Sequence, residues 1–403
     1  EYNPFHNGHL YHLKETAKVG QADNIVAVMS GNFTQRGEPA IYDKWVRAEM
    51  AVKNGVDLVV ELPFIFACNN AEFFAFGAMT ILNSLGCISH LSFGSESGDL
   101  EGLTDVAGLL AYEEPQFKEA LKSYLDEGLS FPRARYEAVK EIKGEKSAAL
   151  IRDPNNILAV EYLKQRIRIE SHMQPITVKR LGQGHHERVV DHPMASARAI
   201  RQTMYEGKDI AAALNAVPKE TREIMQRAGI IPVTGSGELF TLIAYKVLTT
   251  PSETLANILS AGEGLENKLK KAMIKSNTTD EIVNHLLSKR YTETRIKRLL
   301  IHTLIGLTKN EFFRIMESPR LYARILGFSE KGAILLRHIK SKECSQIPII
   351  SNINKELMPD DPIWEILKYD ILASDIYNLA HLNDLYTRSD HVCRPYFVEN
   401  LSG

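Results

Sequence analysis

The sequence is poor in cysteine: Cys68, Cys87, Cys344 and Cys393 are the four in 403 residues, and no two form a C-x-x-C pair. That spacing excludes the common zinc-ribbon and thioredoxin-type arrangements, and predicts a reduced, cytoplasmic protein without a structural metal. Long apolar runs are missing too. The best, Val56 to Cys68, is interrupted by Asp57, Glu61 and Pro63, whereas a membrane span needs about 18 predominantly apolar residues. No charged segment followed by an apolar stretch opens the chain, so no signal peptide is expected. Neither sign of charge dominates: 48 Lys and Arg against 50 Asp and Glu, with 44% hydrophobic residues, exclude a disordered polyelectrolyte. At about 150 residues per domain, a chain of this length suggests two or three domains with sizeable cores.

What is present is a strong alternation between residues 22 and 94. Asn24 to Met29 and Val56 to Leu62 read as short strands, with a helix from Asp43 to Asn54 between them. Ala71 to Leu85 reads as a second helix and His90 to Phe93 as a further strand ending at Gly94. Strands alternating with helices of this length predict βαβ units and a parallel sheet covered on both faces, with ligands bound at the carboxyl ends of the strands. Leu10 to Val19 looks like the first crossover helix, so a strand of about five residues is expected just upstream of Glu1. Residues 100 to 172 are mostly helical, Pro175 to Leu181 adds a strand, and Ser196 to Tyr205 closes the domain. Beyond residue 208 the periodicity is helical. The predicted division is therefore 1–207, an α/β domain, and 208–403, an all-α domain.

The sharpest motif is His6-Asn7-Gly8-His9. At a strand-to-helix turn, this spacing brings two imidazoles and a helix N-terminus to one point, and Gly8 lets the backbone approach a ligand. Helix amides attract phosphate, and imidazole donors can stabilise charge developing on an α-phosphate under attack. Such chemistry opens a nucleoside triphosphate to an adenylate. Gly94-Ser-Glu-Ser-Gly98 follows a strand, and Gly94 there leaves room for the nucleoside. The polar loop Ser30 to Pro39 is expected to shape a substrate pocket. Asn155 and Asn156 open a helix, Arg180 ends the late strand, and Ser196 with Arg201 suits a triphosphate tail at a helix start. Charge is uneven: Lys268 to Lys342 holds 17 basic and 6 acidic residues, +11, so the remainder carries −13. That excess, densest around Lys289, Arg290, Tyr291, Arg295, Lys297 and Arg298, points to nucleic acid, with Tyr291 as a stacking surface.

The strings Glu1 to His9, Val28-Met-Ser-Gly31, Gln35-Arg-Gly-Glu-Pro39, Lys44-Trp45, Glu61-Leu-Pro63 and Phe93-Gly-Ser-Glu96 resemble those of the bacterial tRNA(Met) cytidine acetate ligases, the TmcAL family. The likeness continues through Pro154-Asn-Asn-Ile-Leu158, the Ala195 to Arg201 helix and Lys289-Arg-Tyr-Thr292, and so spans nearly the whole chain. It implies a Rossmann-like nucleotidyltransferase (HUP) domain of the HIGH superfamily followed by a helical region. The implied activity is ATP-dependent formation of acetyl-adenylate and acetylation of N4 of the wobble cytidine of elongator tRNA(Met). It further implies that Glu1, Tyr2, Asn3, Pro4, Phe5, His6, Asn7, Gly8, His9, Leu10 and His12, with Gly94, one of Asn155 or Asn156, and Arg180, line the ATP site. Mg²⁺ is expected to arrive on the phosphates; the other partners are acetate and the tRNA, with no membrane and no obligate protein partner. The rival readings are a small-metabolite adenylyltransferase of the HxGH type, which needs no basic region, and a non-catalytic RNA-binding protein on the same fold.

Overall fold

A computed structural model describes residues 1–181, 190, 192–207, 209–229, 237–262, 264–381 and 385–398. The expected alternation is there. Helix α1 (Asn7–Gly20) precedes strand β1 (Val26–Ser30), helix α2 (Lys44–Lys53) and strand β2 (Leu58–Leu62), and β1 and β2 pair in parallel with Val26 opposite Leu58. Asp43 starts α2 by accepting the N–H groups of Trp45 and Val46, the capping role that short polar side chains fill best. Strands β3 (His90–Ser95) and β4 (Gln174–Lys179) also pair in parallel. They are joined by the helices of residues 100–168.

Two differences from the sequence reading matter for the site. First, β3 and β4 form a sheet of their own. Residues 25–28, which run into β1, and 88–94, which run into β3, line one cavity of about 680 Å³, and α1 passes along it. Second, among the described residues the half expected to be all-α is mostly helical but supplies three strands. β5 (Ala323–Ser329) pairs antiparallel with β2, β6 (Ile349–Ile350) pairs parallel with β5, and β7 (Tyr396–Val398) pairs parallel with its far end. Among the described residues the main sheet therefore runs β1-β2-β5-β6 with β7 alongside. The first five residues of β5 are buried, which removes the polar–apolar alternation by which a strand is recognised.

Side chains along β2 show how the sheet joins the halves. Leu58, Val60 and Leu62 enter a core with helices of residues 239–380, while Val59 faces a second core built on α2 and the helices of residues 197–228. Opposite pointing of successive residues is the strand period of two. Arg324 on β5, 3% exposed, is paired with Asp390 at 2.9 Å, and Lys44 on α2, fully buried, reaches Glu61 at 2.7 Å and Asp390 at 2.9 Å. These charges survive burial because each has a partner.

Candidate active site

The turn into α1 is held by two crossed bonds between histidines and backbone. His6, the N-cap residue, accepts the Gly8 N–H on Nδ1 at 3.0 Å, and His9 accepts the His6 N–H on its own Nδ1 at 3.2 Å. An imidazole nitrogen that accepts carries no proton, so in the neutral ring the proton sits on Nε2. Both rings are neutral: burial, reinforced by Arg180 and Arg201, pushes His6 down to about 3, and burial with the neighbouring His6 holds His9 well below the usual range. The ring centroids are 3.8 Å apart, and both residues line the cavity. Neither Nε2 takes part in a hydrogen bond among the described residues. Gly8 is required by this arrangement. A Cβ there would lie 2.7 Å from His6 Cε1 and 3.0 Å from Nδ1.

Glu1, Tyr2, Gly94, Asn155, Arg180 and His12 also line the cavity. The atoms nearest to a Cβ on Gly94 would be Arg180 Cγ at 3.5 Å, Val178 O at 3.8 Å and Arg180 Cδ at 4.0 Å. Neither packing nor backbone conformation demands glycine there, and Gly94 is part of the cavity wall. Burial lowers His12 to about 4, and its Nε2 lies 3.2 Å from Ser92 Oγ.

Other residues expected at the site are second to it. Asn3 accepts the Ile41 N–H through Oδ1 at 2.8 Å, Pro4 is buried, and Phe5 is wholly inside the second core, with Leu10 packed against it. Asn7 donates to the carbonyls of Pro193 and Asn215. Asn156 is 2% exposed and accepts the backbone N–H groups of Glu96 and Ser97; of the two asparagines, Asn155 is the one on the cavity wall. Ser196 caps its helix by accepting the Ala199 N–H at 3.2 Å, and Arg201 donates to the Asn3 carbonyl at 2.7 Å. Among the described residues neither lines the cavity. Capping accounts for Ser196, and Arg201 holds the chain that leads into the histidine turn.

The basic cluster divides. Lys289 and Arg290 are exposed. Tyr291 is 3% exposed, with Lys268 over its ring at 5.6 Å and Arg295 at 5.1 Å. Its expected stacking role is corrected: a buried ring flanked by two cations offers no open face to a base. Lys297 is bound to Glu38 at 2.6 Å and to Glu293 at 2.7 Å, and Arg298 donates to the Gln35 carbonyl at 3.0 Å. Gly37 permits this docking, because a Cβ would fall 2.3 Å from Arg298 N. Both cations thus hold the polar loop of residues 30–39 against the helix Glu293–Ile305.

Several contributors escaped the sequence reading. Thr16 and Ser92, 2.6 Å apart, and Tyr162 line the cavity. Ser92 is two residues from Gly94 on the same strand, a period-two signal that was available. Arg47, fully buried in α2, donates to the carbonyls of Tyr42 at 3.0 Å, Glu1 at 2.7 Å, Ser30 at 3.0 Å and also Gly31, tying the end of β1 to the start of the motif.

Among the described residues no three His, Cys, Asp or Glu form a metal cluster, and no helix is long and apolar enough to cross a membrane. A family described as HIGH Nucleotidyl Transferase matches residues 1–391. A tRNA(Met) cytidine acetate ligase of Caldanaerobacter subterraneus subsp. tengcongensis is 43% identical over 97% of this chain and 96% of its own. The ligase of Clostridium perfringens strain ATCC 13124 is 38% identical over 98% and 97%. Among solved structures, apo Thermotoga maritima TmcAL superposes with a TM-score of 0.91 at 32% identity, covering 99% of this chain and 98% of that one. The same protein bound with alpha-thio ATP gives 0.89 at 33% identity, with the same coverage. The chain belongs to the HIGH nucleotidyl transferase family and, within it, to the tRNA(Met) cytidine acetate ligases.

Proposed function

We propose that this protein activates acetate with ATP and acetylates N4 of the wobble cytidine of elongator tRNA(Met). An acetate oxygen attacks the α-phosphorus, the bond to the β-phosphate bridge breaks, and pyrophosphate leaves. The cytidine amine then attacks the acetyl carbonyl of acetyl-adenylate, AMP leaves, and the amine loses a proton. The observation that carries the first step is the crossed capping of His6 and His9. Two neutral rings with Nδ1 bound to backbone have Nε2–H free to donate to charge that builds on the α-phosphate oxygens. Because the donors are fixed before substrate arrives, no reorganisation is needed in the transition state.

Supporting roles follow from position. Gly94 and Asn155 receive the nucleoside, and Arg180 adds positive potential beside the histidines. Asn3, Arg47, Asn156 and Arg201 hold these elements in register, and Ser196 caps the helix that carries Arg201. Mg²⁺ would be carried by phosphate oxygens and water, where it neutralises phosphate charge. Residues 1–207 with β5 form the catalytic part. The tRNA lies against the helical part of 208–403, on Lys289 and Arg290 with Arg295 behind them, while Lys297 and Arg298 fix the adjoining loop. Such chemistry uses cytoplasmic substrates, and the reading places the protein there.

Replacing His6 or His9 by Ala should lower acetate-dependent pyrophosphate release by about 10²-fold or more, with the fold intact. Wild-type release in either variant would remove the assignment.

A further inference from the structure

The turn after β3 and the start of the helix Pro154–Arg168 are locked by reciprocal hydrogen bonds. Glu96 accepts the Asn155 N–H through Oε1 at 3.2 Å and the Asn156 N–H through Oε2 at 2.7 Å. Asp153, the helix's own N-cap residue, makes no side-chain cap bond, so the carboxylate of Glu96 does that from across the turn. In the other direction Asn156 Oδ1 accepts the N–H groups of Glu96 and Ser97 at 2.9 and 3.2 Å.

A fifth bond has a different consequence. Asn155 Nδ2 donates to Glu96 Oε1 at 2.6 Å. That contact fixes which way the planar amide faces, because turning it over would set its carbonyl oxygen against a carboxylate oxygen. Asn155 Oδ1 accepts no hydrogen bond among the described residues, and Asn155 and Gly94 both line the cavity.

We propose that Glu96 is a positioning residue that holds the Asn155 amide with its carbonyl oxygen to the cavity, so that this wall selects a neutral hydrogen-bond donor of the nucleoside. The proposal rests on the ATP reading above. Two parts of ATP have the required chemistry, the 6-amino group of adenine and the ribose hydroxyls. A phosphate does not, since it would bring acceptor oxygens against both Asn155 Oδ1 and the Glu96 carboxylate. Bare backbone at Gly94 is what allows the nucleoside to come this close. An acceptor fixed in advance rejects an analogue lacking the donor more strongly than shape does, because the analogue leaves it buried and unpaired.

The test is calorimetric titration of wild type, Asn155→Ala and Glu96→Gln with ATP, 2′-deoxyATP, 3′-deoxyATP and ITP. Wild type should bind at least one analogue about tenfold more weakly than ATP, a factor that one hydrogen bond supplies. Loss with ITP identifies the base amine, and loss with a deoxy analogue identifies the ribose. Asn155→Ala keeps the backbone bonds to Glu96, and should bind ATP more weakly while no longer discriminating against that analogue. Glu96→Gln puts an NH₂ where an N–H must be accepted, frees the Asn155 amide to turn, and should erode the same discrimination. A merely structural lock would weaken all four ligands alike. Equal binding of the four by wild type, or unchanged ratios in either variant, overturns the proposal. Acetate-dependent pyrophosphate release measured on the same samples separates the two readings: discrimination without release strikes the reaction, and release without discrimination strikes this inference.

Discussion

Gly8→Ala probes the histidine turn without removing a histidine. The added methyl would sit 2.7 Å from His6 Cε1 and 3.0 Å from Nδ1, and His6 is 3% exposed, so the ring must rotate away. Rotation breaks the bond from Gly8 N–H and releases the tautomer, which misdirects one Nε2–H. Two stability effects then oppose each other. Loss of an N-cap bond costs about 1 kcal/mol, and replacing glycine by alanine within a helix recovers up to about 1 kcal/mol. Net stability should therefore change by less than about 1 kcal/mol. Catalysis has no such offset: a lost preorganised donor costs about 2.7–4 kcal/mol, or 10²–10³ in rate. Pyrophosphate release with ATP and acetate reads the second quantity, and denaturant unfolding reads the first. A stable variant with wild-type turnover would refute the argument that the caps set the tautomer and the tautomer sets the rate.

Gly94→Val should fold normally, because its Cβ meets no protein atom nearer than 3.5 Å, yet weaken ATP by about tenfold or more through steric exclusion; unchanged affinity by calorimetry would make Gly94 an ordinary turn residue. Charge reversal at Lys289 and Arg290, both exposed, should weaken tRNA binding and flatten the log–log salt slope by about 0.7–0.9 per lost phosphate contact, while tRNA-free adenylate formation stays near wild type. Filter binding at several salt concentrations reads this, and a wild-type slope would remove the pair from the RNA surface. The pH prediction follows from burial, which lowers His302 to about 4 from an ordinary 6.5 while its Nε2 lies 2.7 Å from the Cys68 carbonyl. A depressed histidine favours the fold fully above the unfolded value and loses that contribution as pH falls from 6.5 towards 4, by up to about 3 kcal/mol. Unfolding measured across that range should show the slope, His302→Asn should reduce it, and a slope unaffected by the substitution would contradict the assignment.

Much of the site was legible because its signals are local. His6, Gly8 and His9 sit within one turn, and the βαβ alternation around β1 and β2 follows from short β-branched runs and capped helices. What sequence could not tell was which way a side chain faces. Counted along the chain, Lys297, Arg298 and Arg324 add to a basic patch; folded, Arg298 holds a loop carbonyl, Lys297 a loop carboxylate, and Arg324 lies buried between Glu61 and Asp390. Likewise Asn155 and Asn156 are adjacent and alike in type, and only the fold shows that Asn155 lines the cavity while Asn156 holds the turn of Glu96 and Ser97. β5 was hidden for a related reason. It crosses the middle of the sheet, buried on both faces, with a charged residue second in line and helices either side in sequence.

The central claim is a transfer of acetyl to a tRNA base, and mass spectrometry of the RNA product tests it most directly. Elongator tRNA(Met) incubated with the protein, ATP and isotopically labelled acetate should gain one labelled acetyl group on the wobble cytidine, with AMP and pyrophosphate released in step. Unlabelled tRNA beside consumed ATP, or AMP attached to another acceptor, would contradict it.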